Sequence, residues 1–328
     1  MFEPAYLRPK IFLHGHPIEN GEYILGTKST FEMLNTVKNW IDFRQPGGLI
    51  FGPPRFGKTR AIKYVTRQIN NEYGGKFPIV NIICCEHKQP NENIFWEEFL
   101  VGVGHGFSNH GKVSDKRRRL FEYLLSVAEE YPHKRLLIFL DEAQNLQDQH
   151  YLWLVDLYNV LDNAKIRPTF VMVGQMELAY RHNALLQAKR YQIIGRFMIN
   201  KHRFRGLTSS HDIEVCLHGY DDNTEYPKNS GWSFTRFYFP VAYSHGWRIA
   251  DQADTLWEAF IDVKKNAKIP GYSELPMQFF ASAVEYTFRK HSNLNDIEPH
   301  LSFNIWKKAV EESGYPLSND FIVAGEKQ

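Results

Sequence analysis

The octet Gly52-Pro53-Pro54-Arg55-Phe56-Gly57-Lys58-Thr59 sets four residues between two glycines and follows the second with a lysine and a hydroxyl. Upstream, Gly48-Leu49-Ile50-Phe51 is a short apolar run that reads as a buried strand; downstream, Arg60 to Val65 starts a helical pattern. Strand, glycine loop and helix aim successive backbone N–H groups at one spot, where the helix dipole favours negative charge. The chemistry this suits is phosphate binding. The backbone from Gly52 to Thr59, with Arg60 beyond it, cradles the phosphates of ATP. Lys58 reaches the β and γ phosphates, and the Thr59 hydroxyl ligates Mg²⁺.

A second cluster completes such a site. Leu136-Leu137-Ile138-Phe139-Leu140-Asp141-Glu142 is an apolar strand that ends in two carboxylates. Ligands of open α/β sheets bind at that carboxyl edge. Asp141 is placed to hold Mg²⁺ and Glu142 to polarise an attacking water, since phosphoryl transfer rests on fixed positions and charge. A further strand, Thr169 to Val173, ends in Gly174-Gln175, so Gln175 reaches toward a γ-phosphate or its water. Arg190 and Arg196 precede the expected last strand. Arg196 is the better candidate to reach a neighbouring subunit's nucleotide and stabilise transition-state charge there. In the C-terminal third, Gly246-Trp247-Arg248 opens a helix, and Arg248 is a candidate for the γ-phosphate.

These sites need elements to hold them. Phe77 to Cys85 is a near-continuous apolar run that reads as an interior parallel strand covered on both faces. Helical patterns cover Asn93–Val101, Asp115–Glu130 and Gln147–Asn163, and Ser29 with Glu32 forms an S-x-x-E capping box for an earlier helix. Alternating strands and helices give an α/β fold with a parallel, doubly wound sheet. Beyond Leu207 the pattern is helical: Ile249–Lys265, Pro276–Lys290 and Ser302–Glu312, with Trp232–Phe239 ambiguous.

Bulk properties narrow the class. The 328 residues carry a net charge of only +2, so any nucleic-acid surface must come from local clustering. The three cysteines, Cys84, Cys85 and Cys216, lack C-x-x-C spacing, which argues against a disulfide framework or a structural zinc. No apolar run is long enough to span a bilayer, and the N-terminus lacks a secretory pattern. The expected location is cytoplasmic, with no membrane partner.

Together the motifs resemble an AAA+ P-loop NTPase. Gly52–Thr59 is similar to Walker A, Leu136–Glu142 to Walker B, Gln175 to sensor 1, Arg196 to the arginine finger and Arg248 to sensor 2. The resemblance implies a parallel five-stranded sheet and a C-terminal helical lid domain. The domains expected are an N-terminal arm at 1–27, an ATPase domain at 28–207, a lid at 208–315 and a tail at 316–328. LDEAQNL (Leu140–Leu146) followed by FVMVGQMEL (Phe170–Leu178) is similar to the transposon ATPases of the TnsC, TniB and MuB group, and to the related secretion ATPase ExeA. The transposon resemblance implies an ATPase that oligomerises on double-stranded DNA and links a target selector to the transposase. An ExeA-like motor acting on protein without DNA is the alternative, and a signalling module that barely hydrolyses ATP is a third reading.

The span from Lys58 to Asp141 exceeds a minimal core, and the excess falls at about 86–119. There Lys112 and Lys116-Arg117-Arg118-Arg119 follow a glycine-rich loop, Gly102 to Gly111, at the start of a helix. Cations at a helix N-terminus are unfavourable by a few tenths of a kcal/mol each, roughly. DNA phosphates would offset that, and the five residues are the DNA-contact candidates; a solvated basic face is the other reading.

Overall fold

The computed structural model describes residues 8–12, 14–269 and 274–318. The start of the expected arm and residues 319–328 of the expected tail lie outside them. The chain divides into two compact units. One takes its described residues from Glu32–Pro54 and Lys58–Phe204, the other from Met1–Phe31, Arg55–Gly57 and Arg205–Gln328.

The first unit is built on five parallel strands: β1 (Gly47–Phe51), β2 (Ile79–Ile83), β3 (Arg135–Asp141), β4 (Arg167–Gly174) and β5 (Asn200–Arg203), in the order β2-β3-β4-β1-β5. The longer helices that accompany them are α1 (Lys28–Asp42), α2 (Lys58–Glu72), α3 (Glu92–Gly102), α4 (Val113–Glu129), α5 (Asp148–Asn163) and α6 (Glu177–Gln187). The central strands β3 and β4 are buried nearly throughout, as apolar runs in a covered parallel sheet must be. Register places Phe51 opposite Gly174 and Arg203, and Ile83 opposite Asp141. The ends of β1, β4 and β5 are therefore level, as are those of β2 and β3, and Leu140 opposite Met172 joins the two sets, so the residues that follow the strands leave from one edge.

Two local expectations change. β2 pairs with β3 alone, so it is an edge strand with alternating burial, and Ile83 is 65% exposed. Its apolar run reads as interior only because the residues flanking the pairing are apolar too. The N-terminus of α1 is fixed by Thr27 and Thr30, each hydroxyl accepting from the other's backbone N–H, at 3.2 and 2.6 Å. Ser29 instead donates its hydroxyl to the Arg205 carbonyl at 2.8 Å.

The insertion between β2 and β3 is a helical pair with an aromatic centre. Trp96 is fully buried, with ring-centroid separations of 4.8 Å to Phe95 and 5.5 Å to Phe121, and Trp153 of α5 joins Phe95 at 5.1 Å. The glycine-rich loop is tied down: the Arg119 guanidinium donates to the carbonyls of Phe107 and His110, and Tyr123 donates to Val103 O at 3.2 Å.

The second unit is mainly helical, with Ser210–His218, Phe234–Tyr238, Pro240–Ser244, Ala253–Asn266, Met277–His291 and Phe303–Glu312 around one core. The described residues before 28 are not merely extended. Pro17–Asn20 is a helical turn, Ile18 is buried, and His16 packs among Tyr226, Phe234, Phe237 and Tyr238. Burial, with Arg8 nearby, drives the His16 pKa down to about 3, so the ring is neutral and its Nδ1 accepts from Ile18 N. Among the described residues no helix is long and apolar enough to cross a membrane.

The insertion's aromatic centre sets a stability expectation. Trp96→Ala should lower the stability of the α/β unit by about 3–5 kcal/mol, as for other fully buried aromatics. A urea-midpoint shift followed by fluorescence of the remaining tryptophans measures it.

Candidate nucleotide site

The loop after β1 has the backbone for an anion cradle. Arg55 and Gly57 both take left-handed conformations, φ +66° and +94°, which turns successive N–H groups toward one side. Pro53 and Pro54 contribute no N–H, and Gly52 N donates to Gly174 O at 3.2 Å. The donors left for a ligand are those from Arg55 onward, at the head of α2. Arg55 is grouped with the helical unit: Arg55 O accepts from Gln278 N at 3.2 Å, and the Arg55 guanidinium lies 5.7 Å from the Phe279 ring centre.

Lys58 opens α2 and is only 7% exposed. Its ammonium donates to the carbonyls of Gly52 at 2.8 Å and Pro53 at 2.7 Å. Burial lowers its pKa to about 8, while Glu142, Asp141 and Glu177 pull it back up. The next residue, Thr59, donates its hydroxyl to Asp141 Oδ2 at 2.7 Å. Burial pushes the Asp141 carboxyl above its ordinary range, against the hydrogen bonds from Thr59 and from Glu142 N. A hydroxyl and a carboxylate side by side are hard oxygen donors suited to Mg²⁺, which takes one or two protein ligands and completes its shell with water and phosphate. Among the described residues no group of three or more His, Cys, Asp or Glu side chains is arranged to hold a metal.

Three side-chain amides after β3 stitch the sheet edge together. Gln144 Nε2 donates to Glu142 Oε2 at 2.5 Å, and its Oε1 accepts from Gln175 N at 3.1 Å. Asn145 Nδ2 donates to Cys84 O, just past β2, at 2.9 Å, and Gln147 Nε2 donates to His87 O at 2.6 Å. Sequence reasoning stopped at Asp141 and Glu142 and missed these residues. The available signal was a run of amides immediately after a strand that ends in carboxylates.

The candidate arginines make contacts of their own. Arg196 donates to Asn159 Oδ1 at 2.9 Å and Gln192 O at 3.3 Å, with its guanidinium 5.3 Å from the Tyr158 ring centre. Arg190 is exposed at the turn after α6. In the helical unit Arg248 donates to Tyr243 O and Trp247 O, at 3.0 and 2.8 Å, with its guanidinium 3.7 Å from the Tyr243 ring centre. A short 3-10 turn, Ile249–Gln252, follows it, whose first N–H groups are capped by buried Asp221 at 3.1 and 3.0 Å.

The basic cluster divides by helix face. Lys116 is 2% exposed and its ammonium binds Glu97 at 2.5 Å, so the structure withdraws it from any surface contact. Arg117 binds Asp156 at 3.1 Å and packs near the Trp96 and Phe121 rings. Arg119 holds the glycine loop. Lys112 is exposed, and Arg118 has 71% of its side chain in solvent despite loose pairing with Asp115 and Glu122.

Residues 41–181 match the family described as AAA domain. No curated protein matches the chain by sequence. The ORC2 protein of Aeropyrum pernix, solved in ADPNP–ADP complexes, is similar at a TM-score of 0.60 and 15% identity, over 91% of this chain and 71% of that one. Its ADP form gives 0.57 and 15%, over 90% and 72%. At that identity the likeness is one of fold: a five-stranded parallel α/β AAA+ domain followed by a helical region.

Lys58 sets a pH dependence. Its protonated form is the one that attracts phosphate, and it loses the proton as pH rises through about 8. Affinity for a non-hydrolysable ATP analogue should be level below that point. Above it, affinity should fall by up to about tenfold per pH unit, by proton linkage. Titration calorimetry across that range, with Lys58→Arg as the variant that flattens the profile, checks this.

Proposed function

We propose that this protein is an AAA+ ATPase that assembles on double-stranded DNA and regulates DNA transposition, with hydrolysis controlling the assembly. The observation that carries the ATPase part is the Thr59–Asp141 hydrogen bond beside buried Lys58. Residues far apart in sequence meet there as one oxygen-ligand pair with one cation. Thr59 and Asp141 would hold Mg²⁺, which would supply positive charge against the charge developing on phosphate. Lys58 attracts the phosphates, and Glu142 accepts the proton of the attacking water.

DNA binding is supported by the exposed cations of the insertion, Lys112 and Arg118, and self-assembly by the position of Arg196 before β5. The transposition role is supported by the resemblance of Leu140–Leu146 and Phe170–Leu178 to the TnsC, TniB and MuB group. A transposase and a target selector are the partners this implies, and the cytoplasm is the location.

Glu142→Gln should lower ATP turnover by a hundredfold or more, on the order expected for a lost general base, while nucleotide affinity stays within about twofold. For the DNA contact, filter binding of duplex with an ATP analogue over a salt series is decisive. Binding should weaken steeply with salt. Lys112→Glu with Arg118→Glu should weaken it about tenfold or more, whereas Lys116→Met leaves it unchanged. If the wild type ignores duplex DNA at every salt, the reading passes to an ATPase acting on protein. Mixing Arg196→Ala with Lys58→Ala subunits should restore part of the ATPase activity that each lacks alone; no restoration removes Arg196 as a residue acting across subunits.

A further inference from the structure

We infer that Gln144 is a positioning residue for Glu142, tying the orientation of that carboxylate to the end of β4; the inference rests on the hydrolytic reading of the site. The side-chain amide of Gln144 has two partners of opposite demand. The Glu142 carboxylate accepts from its nitrogen, and the backbone N–H of Gln175 donates to its oxygen. Reversing the amide would set donor against donor and acceptor against acceptor, so only one orientation satisfies both. Glu142 itself sits in a left-handed backbone conformation, φ +54°, at the turn that leaves β3. Its own backbone thus turns sharply at that residue, and the amide fixes one carboxylate oxygen, leaving the other for water.

Gly174, the last residue of β4, makes room for this bridge. A Cβ there would overlap Gln144 Oε1 and press on Gln144 N at 3.2 Å. The carbonyl of the same glycine accepts from Gly52 N at the start of the phosphate loop. One amide therefore joins the base to the strand end that carries Gln175, and that strand end is bonded in turn to the loop after β1. A shift of the Gln175 backbone toward or away from the phosphate side is transmitted to Glu142 through two hydrogen bonds. Gln144 touches neither nucleotide nor water in this role; it acts through Glu142.

Steady-state ATPase assays on the full chain test this. Gln144→Ala should lower kcat about 10- to 100-fold with nucleotide Kd within about twofold of wild type, the signature of a group that acts on turnover and not on binding. Gln144→Glu keeps the size of the side chain but removes the donor to Glu142, and should lower kcat as Gln144→Ala does, with nucleotide Kd again within about twofold of wild type. Gly174→Ala should reproduce the kcat loss by displacing the amide and should add nothing in the Gln144→Ala background. An unchanged kcat in Gln144→Ala, while Glu142→Gln abolishes turnover, overturns the inference and leaves the hydrolytic reading standing. A higher kcat in Gln144→Ala, meaning that the amide restrains the base, overturns it as well. If the wild type itself turns over no ATP, the hydrolytic reading fails, and the inference with it.

Discussion

The site depends on one hydrogen bond, from the Thr59 hydroxyl to the Asp141 carboxylate, made across the end of β4. Thr59 belongs to the first turn of α2, while Asp141 is the last paired residue of β3. Between their strands lies β4, so the two groups meet only if three strands end at the same level and the middle one presents no bulk there. The register supplies the first condition, with Phe51 opposite Gly174 and β3 in parallel register beside β4. At the end of β4 stands Gly174, where a Cβ would meet Gln144 Oε1 and Gln144 N.

A buried lysine needs compensation, and the surroundings of Lys58 provide it in two forms. Backbone carbonyls of the loop accept its protons, and three carboxylates, Glu142, Asp141 and Glu177, lie near enough to favour its charge. Burial still dominates and lowers its pKa, while burial raises that of Asp141. Both shifts come from the same burial, which opposes each charge while the neighbouring groups of opposite sign favour it.

The sheet edge is also held by side-chain amides. Backbone pairing ends at Asp141, and beyond it the chain has no ladder to lean on. Gln144, Asn145 and Gln147 replace that ladder with bonds to the segments after β4 and β2. Amides suit the task because each offers a donor and an acceptor without adding charge to a site already rich in it.

The motifs at Gly52–Thr59 and Leu136–Glu142 were legible because strand–loop–helix chemistry is local: each needs only its own few residues in order. The five-stranded alternation was legible for the same reason, since burial writes itself into apolar runs. The edge position of β2 was not, because a run of Ile and Val looks alike whether one neighbour or two pairs with it. Lys116 shows the boundary most sharply. Its sequence context is four consecutive cations, yet it stands four and eight residues before Leu120 and Leu124, on the face that α4 buries. Helical periodicity contained that information, but which stripe faces α3, and that Glu97 waits there, follows only from packing. Composition and motif thus determined what chemistry this chain can do. Tertiary structure decided which charged groups are free to do it, because a side chain's exposure is set by the neighbours it meets and not by the letters beside it.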